Sequence, residues 1–300
     1  MNCVIVGAHG FIGRHLGDRC CKLGHEVLGL DAAESNQDRL PSVPVRRCDA
    51  VTDELDLPQD IDAVYYLAQS PHYRSFPIGA GHLFAVNVAG ALRVAEAAQS
   101  AGAKLFCYAS TGAVYHPAFG PMSEDHPVRR DEPYALSKVA AEEALALLPG
   151  PLQIVCVRLF GVFGPGQRGM LVPTVIAKIQ QRQPVILQRH PEDPNDRDGL
   201  RISLSYVKDV VIWLEQIAAF VLAGQAIPSV LNLAGPNPVS IRSLAEQIGE
   251  LSGVQPRFEM PDQARASDYV ADISRFRALT TPAFTPLREA IASTLAQHVP

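Results

Sequence analysis

The chain has 300 residues, 47% of them apolar, and sets 26 Lys and Arg against 31 Asp and Glu for a formal net charge of −5. That length buries a sizeable core as one large domain or as two, and the mixed composition excludes a disordered or low-complexity chain. The acidic balance argues against a surface coated with phosphate-binding cations, so no nucleic-acid partner is expected.

Asn2–Val6 is a short apolar run, followed by Gly7 and an amphipathic stretch over Phe11–Lys22. Gly24 punctuates before a second strand, Glu26–Asp31, and a third run, 43–48, ends at Asp49. Residues 63–68 (AVYYLA) are unbroken apolar, and 83–100 repeat Ala, Val and Leu at helical spacing. Two more strands, 104–109 and Gln153–Leu159, flank a helix over about 132–148 that Pro149-Gly150 stops. Strands apolar on both faces and alternating with helices predict a parallel sheet covered on both sides. The expected fold is a Rossmann-type, doubly wound α/β sheet with a smaller C-terminal substrate-binding domain. After about Phe160 the rhythm loosens; 188–201 is polar enough to be a loop, and 209–223 reads as one more sheet-covering helix. The division that follows is a dinucleotide domain over 1–160, rejoined by about 203–225, and a substrate domain over 161–202 and 226–300.

The longest apolar candidate for a membrane span, 210–222, is short and interrupted by Glu215 and Gln216, so no membrane is expected. The opening MNCVIVG enters a strand at once with no basic leader, which predicts a cytoplasmic protein. Six cysteines with no C-x-x-C pair read as buried thiols in a reducing compartment, and no metal is expected.

Gly7, Gly10 and Gly13 stand as G-x-x-G-x-x-G between the first strand and the first helix. Glycine suits a tight turn, close approach of a pyrophosphate and close packing of helix on sheet, and the helix N-terminus offers N–H groups to the phosphates. Asp31 ends the second strand, where a carboxylate accepts from adenosine ribose hydroxyls and repels a 2′-phosphate; the cofactor read from this pattern is NAD. His9 reads as a loop-facing spectator, and Asp49 as either an adenine contact or a turn former.

Pro133 suits a first helical turn, and Tyr134-Ala-Leu-Ser-Lys138 follows it, placing a phenol and an ammonium on one helix face. A tyrosine titrates near ~10 alone, and a neighbouring Lys⁺ lowers that toward a useful base. Thr111 closes the fifth strand, the end at which parallel sheets place ligands, and its hydroxyl can share the hydrogen bond of a substrate hydroxyl that Tyr134 deprotonates.

With GAHGFIG at 7–13, YLAQS at 66–70, NVAG at 87–90, STGAVY at 110–115, YALSK at 134–138, RLFGVFGPG at 158–166, YVKDV at 206–210 and LNLAGPNPVSI at 231–241, the sequence resembles the extended short-chain dehydrogenase/reductase family, in particular its NAD-dependent nucleotide-sugar epimerases and dehydratases. The resemblance implies Thr111, Tyr134 and Lys138 as the catalytic trio. It implies a cofactor set of Gly7, Gly10, Phe11, Ile12, Gly13, Asp31, Asp49, Ala50, Leu67, Ala68, Gln69 and Asn87 with Tyr134 and Lys138, Asn87 also supporting the active-site helix. For the nucleotide-sugar substrate it implies Arg265 and Asp268, with Thr111 at the reacting hydroxyl. Arg201, one residue off the family spacing, is either a diphosphate ligand or a solvated rim charge. A homodimer through helices 83–100 and 132–148 is implied as well.

Departures from the family pattern narrow the reaction. Dehydratases of this family carry Asp-Glu after the threonine and decarboxylating relatives a Glu in the same stretch, where this chain has Gly112-Ala113. Reversible hydride transfer is left, so the expected activity is 4-epimerisation of an NDP-hexose or its uronic acid through a 4-keto intermediate. The alternative is a dehydrogenase or reductase with net hydride transfer. Gly161 stands where many relatives have an asparagine near the substrate phosphates, and Phe163 and His116 replace a common Tyr and Gly.

Overall fold

The computed structural model describes residues 1–33 and 43–297. The chain clusters into two units, the first made of Met1–Tyr115, Pro127–Arg158 and Val211–Leu231. Its elements begin β1 (Asn2–Val6), α1 (Phe11–Lys22), β2 (Glu26–Asp31), β3 (Val45–Arg47), β4 (Ala63–Tyr66), α2 (Ala80–Phe84), α3 (Ala91–Ser100), β5 (Leu105–Thr111), α4 (Pro133–Leu145) and β6 (Gln153–Leu159). After β7 (Val162–Phe163), α5 (Leu171–Gln180), β8 (Pro184–Ile186), β9 (Arg201–Ser203) and β10 (Ser205–Tyr206) come α6 (Val207–Leu222) and β11 (Val230–Leu233). The remainder is β12 (Pro238–Ser240), α7 (Ile241–Ser252), β13 (Arg257–Glu259), α8 (Ser274–Leu279) and α9 (Leu287–Leu295).

A seven-stranded parallel sheet of order β11-β6-β5-β4-β1-β2-β3 runs through this alternation. β1 pairs with β2 from Asn2↔Glu26 to Val6↔Leu30 and with β4 from Cys3↔Ala63 to Val6↔Tyr66, so the strand order reverses direction at β1. Ligands of such sheets bind beyond the carboxyl ends of the strands at that reversal. Successive tyrosines of β4 show the two buried faces. Tyr66 packs with Val4, Phe106 and Tyr108 under the alanine-rich faces of α3 and α4, among them Val94, Ala95, Ala98 and Ala141. Tyr65 points the other way and donates from its hydroxyl to the Leu214 carbonyl of α6 at 3.4 Å. On that face α6 is tied to α1 by Arg19 and Glu215 at 2.9 Å. Each large apolar side chain enclosed this way contributes about 1.5–3 kcal/mol.

The third strand is shorter than its apolar run, since Pro44 has no N–H to add to the ladder and the pairing with β2 covers only Val45 to Arg47. The stretch 83–100 is not one regular helix: between α2 and α3 the backbone widens over Ala85–Gly90 into a π-helical turn. All six cysteines are free, and of them Cys21 alone is exposed.

The second unit comprises His116–His126, Leu159–Val210 and the described residues from Asn232 onward. The segment 116–126 thus clusters apart from the strand that precedes it. The core of this unit gathers Val172, Ile176 and Ile179 of α5, Leu244 and Ile248 of α7, and Ile291 of α9. Three two-stranded ladders, β10 with β7, β12 with β9 and β13 with β8, edge it. Residues 188–200 contain no helix or strand. Among the described residues no helix is long and apolar enough to cross a membrane.

Candidate active site

The loop from β1 into α1 folds as its glycines require. Gly7 has φ +89, and a Cβ there would lie 2.7 Å from the Ala68 nitrogen; at Gly13 it would lie 2.2 Å from the Gly7 carbonyl oxygen. Leu67 and Ala68 pack against Gly7 too closely for any side chain there, which leaves the loop as a cradle lined by backbone. No side chain caps α1 at Gly10 and no acidic residue lies in its first turn, where Phe11 and Ile12 sit. N–H groups and a partial positive charge therefore face the cradle, the donor set a pyrophosphate needs. Asp31 accepts from the His9 N–H at 2.8 Å and the Ala33 N–H at 3.0 Å, one bond to each carboxylate oxygen. Its remaining lone pairs suit ribose hydroxyls. His9 is bound into the same turn, its Nδ1 3.0 Å from the Ala33 carbonyl. These residues fit a dinucleotide whose ribose carries free hydroxyls.

Not every residue of the expected cofactor set is placed alike. The Asp49 carboxylate accepts from the Val51 N–H at 2.8 Å and so closes a turn. Ala50 is buried, and its carbonyl accepts from Arg93 at 2.6 Å. Asn87 is fully enclosed: its amide donates to Ser137 Oγ at 3.0 Å and accepts from the Ser70 N–H at 3.4 Å, while its carbonyl takes the Tyr108 hydroxyl at 3.0 Å. With no accessible surface of its own, Asn87 supports α4 through Ser137.

Pro133 at the first position and Glu132 at the cap start α4, the Glu132 carboxylate accepting from the N–H groups of Tyr134 and Ala135. One turn apart, Tyr134 and Lys138 then face the carboxyl ends of β4 and β5. Lys138 is buried, donates from Nζ to the Ala109 carbonyl of β5 at 2.8 Å and lies 4.7 Å from the centre of the Tyr108 ring. That bond anchors it two residues from Thr111. Burial pushes the Lys138 ammonium down to about 7, against the opposing pull of the Glu142 carboxylate. The Tyr134 hydroxyl donates to Gln69 Oε1 at 3.0 Å, and its ring lies 5.3 Å from that of Tyr73. Thr111 accepts from the Ala113 N–H at 3.2 Å, closing the short turn at Gly112–Val114.

A second layer lies behind this set, and its carboxylate, Glu142, was not singled out from the sequence. Glu142 receives Nη2 of Arg158 at 2.6 Å and the hydroxyl of Ser110, and Arg158 also donates to the Tyr115 hydroxyl at 2.9 Å. Its one legible signal is spacing: Glu142 follows Lys138 by one helical turn. Tyr73 carried no signal, since the chain between β4 and α2 has no periodic pattern.

In the second unit, Arg265 and Asp268 are buried and paired with each other, Nε to Oδ1 at 2.8 Å. Arg265 also bridges to Asp196 of the polar loop and donates to the Gln188 carbonyl at 3.1 Å. Burial opposes the Asp196 charge, but the Arg265 guanidinium and the N–H groups of Asp198 and His190 outweigh it and hold the carboxyl down to about 2. Arg201 is exposed and lines a cavity of about 590 Å³ with Asp198, Tyr206, Asn237 and Ser243. Gly161 has φ +44, and a Cβ there would lie 2.5 Å from the Ser203 carbonyl oxygen, so the backbone itself excludes the asparagine of the family pattern.

Residues 3–233 match the family described as NAD dependent epimerase/dehydratase. An uncharacterized UDP-glucose epimerase of Bacillus subtilis, YtcB, is 26% identical over 301 residues, 93% of this chain and 92% of that protein. The UDP-glucose 4-epimerase of Mycolicibacterium smegmatis is 34% identical over 182 residues, 56% of this chain and 58% of that one. Relatives at 26% identity also include decarboxylases of UDP-sugar acids. Among solved structures, MoeE5 in complex with UDP-glucose and NAD aligns with a TM-score of 0.80 and 29% identity over 99% of this chain and 98% of that one. The chain belongs to the NAD dependent epimerase/dehydratase family, and its cofactor is NAD.

Proposed function

We propose that the protein is an NAD-dependent nucleotide-sugar 4-epimerase, acting on an NDP-hexose or its uronic acid through a transient 4-keto sugar. The observation that carries this reading is the turn after Thr111. Gly112 and Ala113 hold no proton to give or take, and the nearby carboxylate of Glu142 is locked onto Arg158. Loss of water or of carbon dioxide needs a further acid or base at that stretch, whereas hydride exchange at one carbon needs only the trio. Tyr134 takes the proton of the sugar 4-hydroxyl, and Thr111 shares that hydroxyl's hydrogen bond. Lys138, charged, favours the phenolate. The cofactor, when bound, supplies a reversible hydride acceptor. Return of the proton from Tyr134 to O4 of the turned sugar closes a cycle without net oxidation. The cofactor contacts proposed are Gly7, Gly10, Phe11, Ile12, Gly13, Asp31, Asp49, Ala50, Leu67, Ala68, Gln69, Asn87, Tyr134 and Lys138, those to the substrate are Thr111, Arg201, Arg265 and Asp268, and a homodimer belongs to the same reading.

The names of the matched relatives support a UDP-sugar substrate. The test is incubation with UDP-, dTDP- and GDP-sugars and observation of epimers by NMR, with no consumption of free cofactor. Net consumption of NAD would establish the dehydrogenase alternative. Full turnover by a Tyr134→Phe variant would sink the mechanism.

A further inference from the structure

Gln69 lies three residues past the end of β4, with its side chain exposed and its Oε1 accepting from the Tyr134 hydroxyl at 3.0 Å. A base that must give its proton back within the same turnover needs support in both of its states. A phenol is served by an acceptor and a phenolate by donors. A carboxamide offers an oxygen and an N–H₂ group at equal reach, exchanged in place by a half turn about its last side-chain bond.

We propose that Gln69 is a positioning residue that follows the proton of Tyr134, accepting from the phenol and, rotated, donating to the phenolate. In its consequence for turnover the proposal rests on the epimerase reading above; the hydrogen bond itself does not. The charged and titratable neighbours of Tyr134 cannot take this part. Lys138 on the same helix is held by the Ala109 carbonyl and lies over Tyr108 of β5. Glu132 is engaged by the helix N–H groups. From the segment after β4, Tyr73 presents its ring, with the Arg74 guanidinium 5.0 Å from that ring's centre. Lys138, when charged, and Arg74 favour the phenolate and Glu132 the phenol; Gln69 is neutral and can serve either state.

The test uses Gln69→Met, which keeps size without hydrogen bonds, and Gln69→Glu, which accepts but cannot donate when ionised. The phenolate of Tyr134 is titrated by ultraviolet difference absorbance, with Tyr134→Phe as the blank, in nucleotide-free and NAD-loaded protein. Because a bond to an ion is stronger than one between neutral groups, loss of the amide hurts the phenolate more. The midpoint should rise by roughly one pH unit in Gln69→Met and further in Gln69→Glu, and the acidic limb of kcat should move with it while KM changes little. Either variant titrating with the parent overturns the proposal. Epimerisation with an unmoved phenol sinks it and leaves the function standing; a moved phenol with no epimerised sugar does the reverse.

Discussion

Replacing Glu142 with Gln tests the buried layer behind the active site. In the parent, the carboxylate takes Nη2 of Arg158 at 2.6 Å, Nε at 3.1 and 3.2 Å to its two oxygens, and the Ser110 hydroxyl. Both partners of the ion pair are about 94% enclosed, their side chains 7% and 6% exposed. The amide of Gln keeps the shape but removes the charge and sets N–H₂ against a guanidinium that cannot return to water. Breaking such a pair from one side costs about 3–5 kcal/mol, whereas replacing both partners with apolar groups is often nearly neutral. Glu142→Gln should therefore lose about 3–5 kcal/mol in urea unfolding with an unchanged m-value, a fall in melting temperature on the order of 10 °C. Glu142→Met with Arg158→Leu should recover most of it, less about 1 kcal/mol each for the unpaired hydroxyls of Ser110 and Tyr115. The same substitution reaches the chemistry. Since Glu142 favours the charged form of Lys138, its removal should move the Lys138 midpoint below about 7, read by nitrogen-detected NMR. A single variant within about 1 kcal/mol of the parent, or a double variant no better than the single, would refute the reasoning.

Three further outcomes are expected. Asp31→Ala should weaken NAD about 10–100-fold by calorimetry, the loss of two charge-assisted hydrogen bonds, and narrow the preference over the 2′-phosphorylated cofactor; unchanged affinity would remove Asp31 from the site. Gly161→Asn, which restores the family residue, should cost about 1–3 kcal/mol because its Cβ meets the Ser203 carbonyl, and a neutral variant in denaturant titration would contradict the packing. Asp196 is held below its ordinary 3.8, so its contribution is present above that value and is lost as pH falls through about 2. Hydrogen exchange at the N–H groups of His190 and Asp198, which donate to it, should lose protection between about pH 4 and 2, and Asp196→Asn should abolish that pH dependence.

The sheet was legible because its strands are apolar on both faces: β1 and β4 read directly as MNCVIVG and AVYY. The glycine loop and the trio were legible because close backbone approach and helical spacing leave marks on the residues themselves. What escaped depends on partners far apart in sequence. Nothing near Arg265 announces that Asp196 will take its guanidinium. Nor does composition separate a regular helix from a widened one over 85–90, since Ala, Val and Gly carry no period that distinguishes the two.

That widened turn has a consequence for how the chain can vary. The hydroxyls of Tyr66 and Tyr108 take carbonyls along it, at Val86 and Asn87, and Gly90 leaves room for the Tyr66 oxygen. A π-turn holds one residue more than the helix around it. Deleting a single residue there restores regular winding and leaves the flanking helices in phase, so the change falls on the turn itself, on the carbonyls that Tyr66 and Tyr108 use and on the bond from Asn87 to Ser137. The support of α4 is thus encoded in residue count as well as in residue type. Substitutions along 85–90 that keep size can be absorbed, but a one-residue deletion would loosen α4 without touching it.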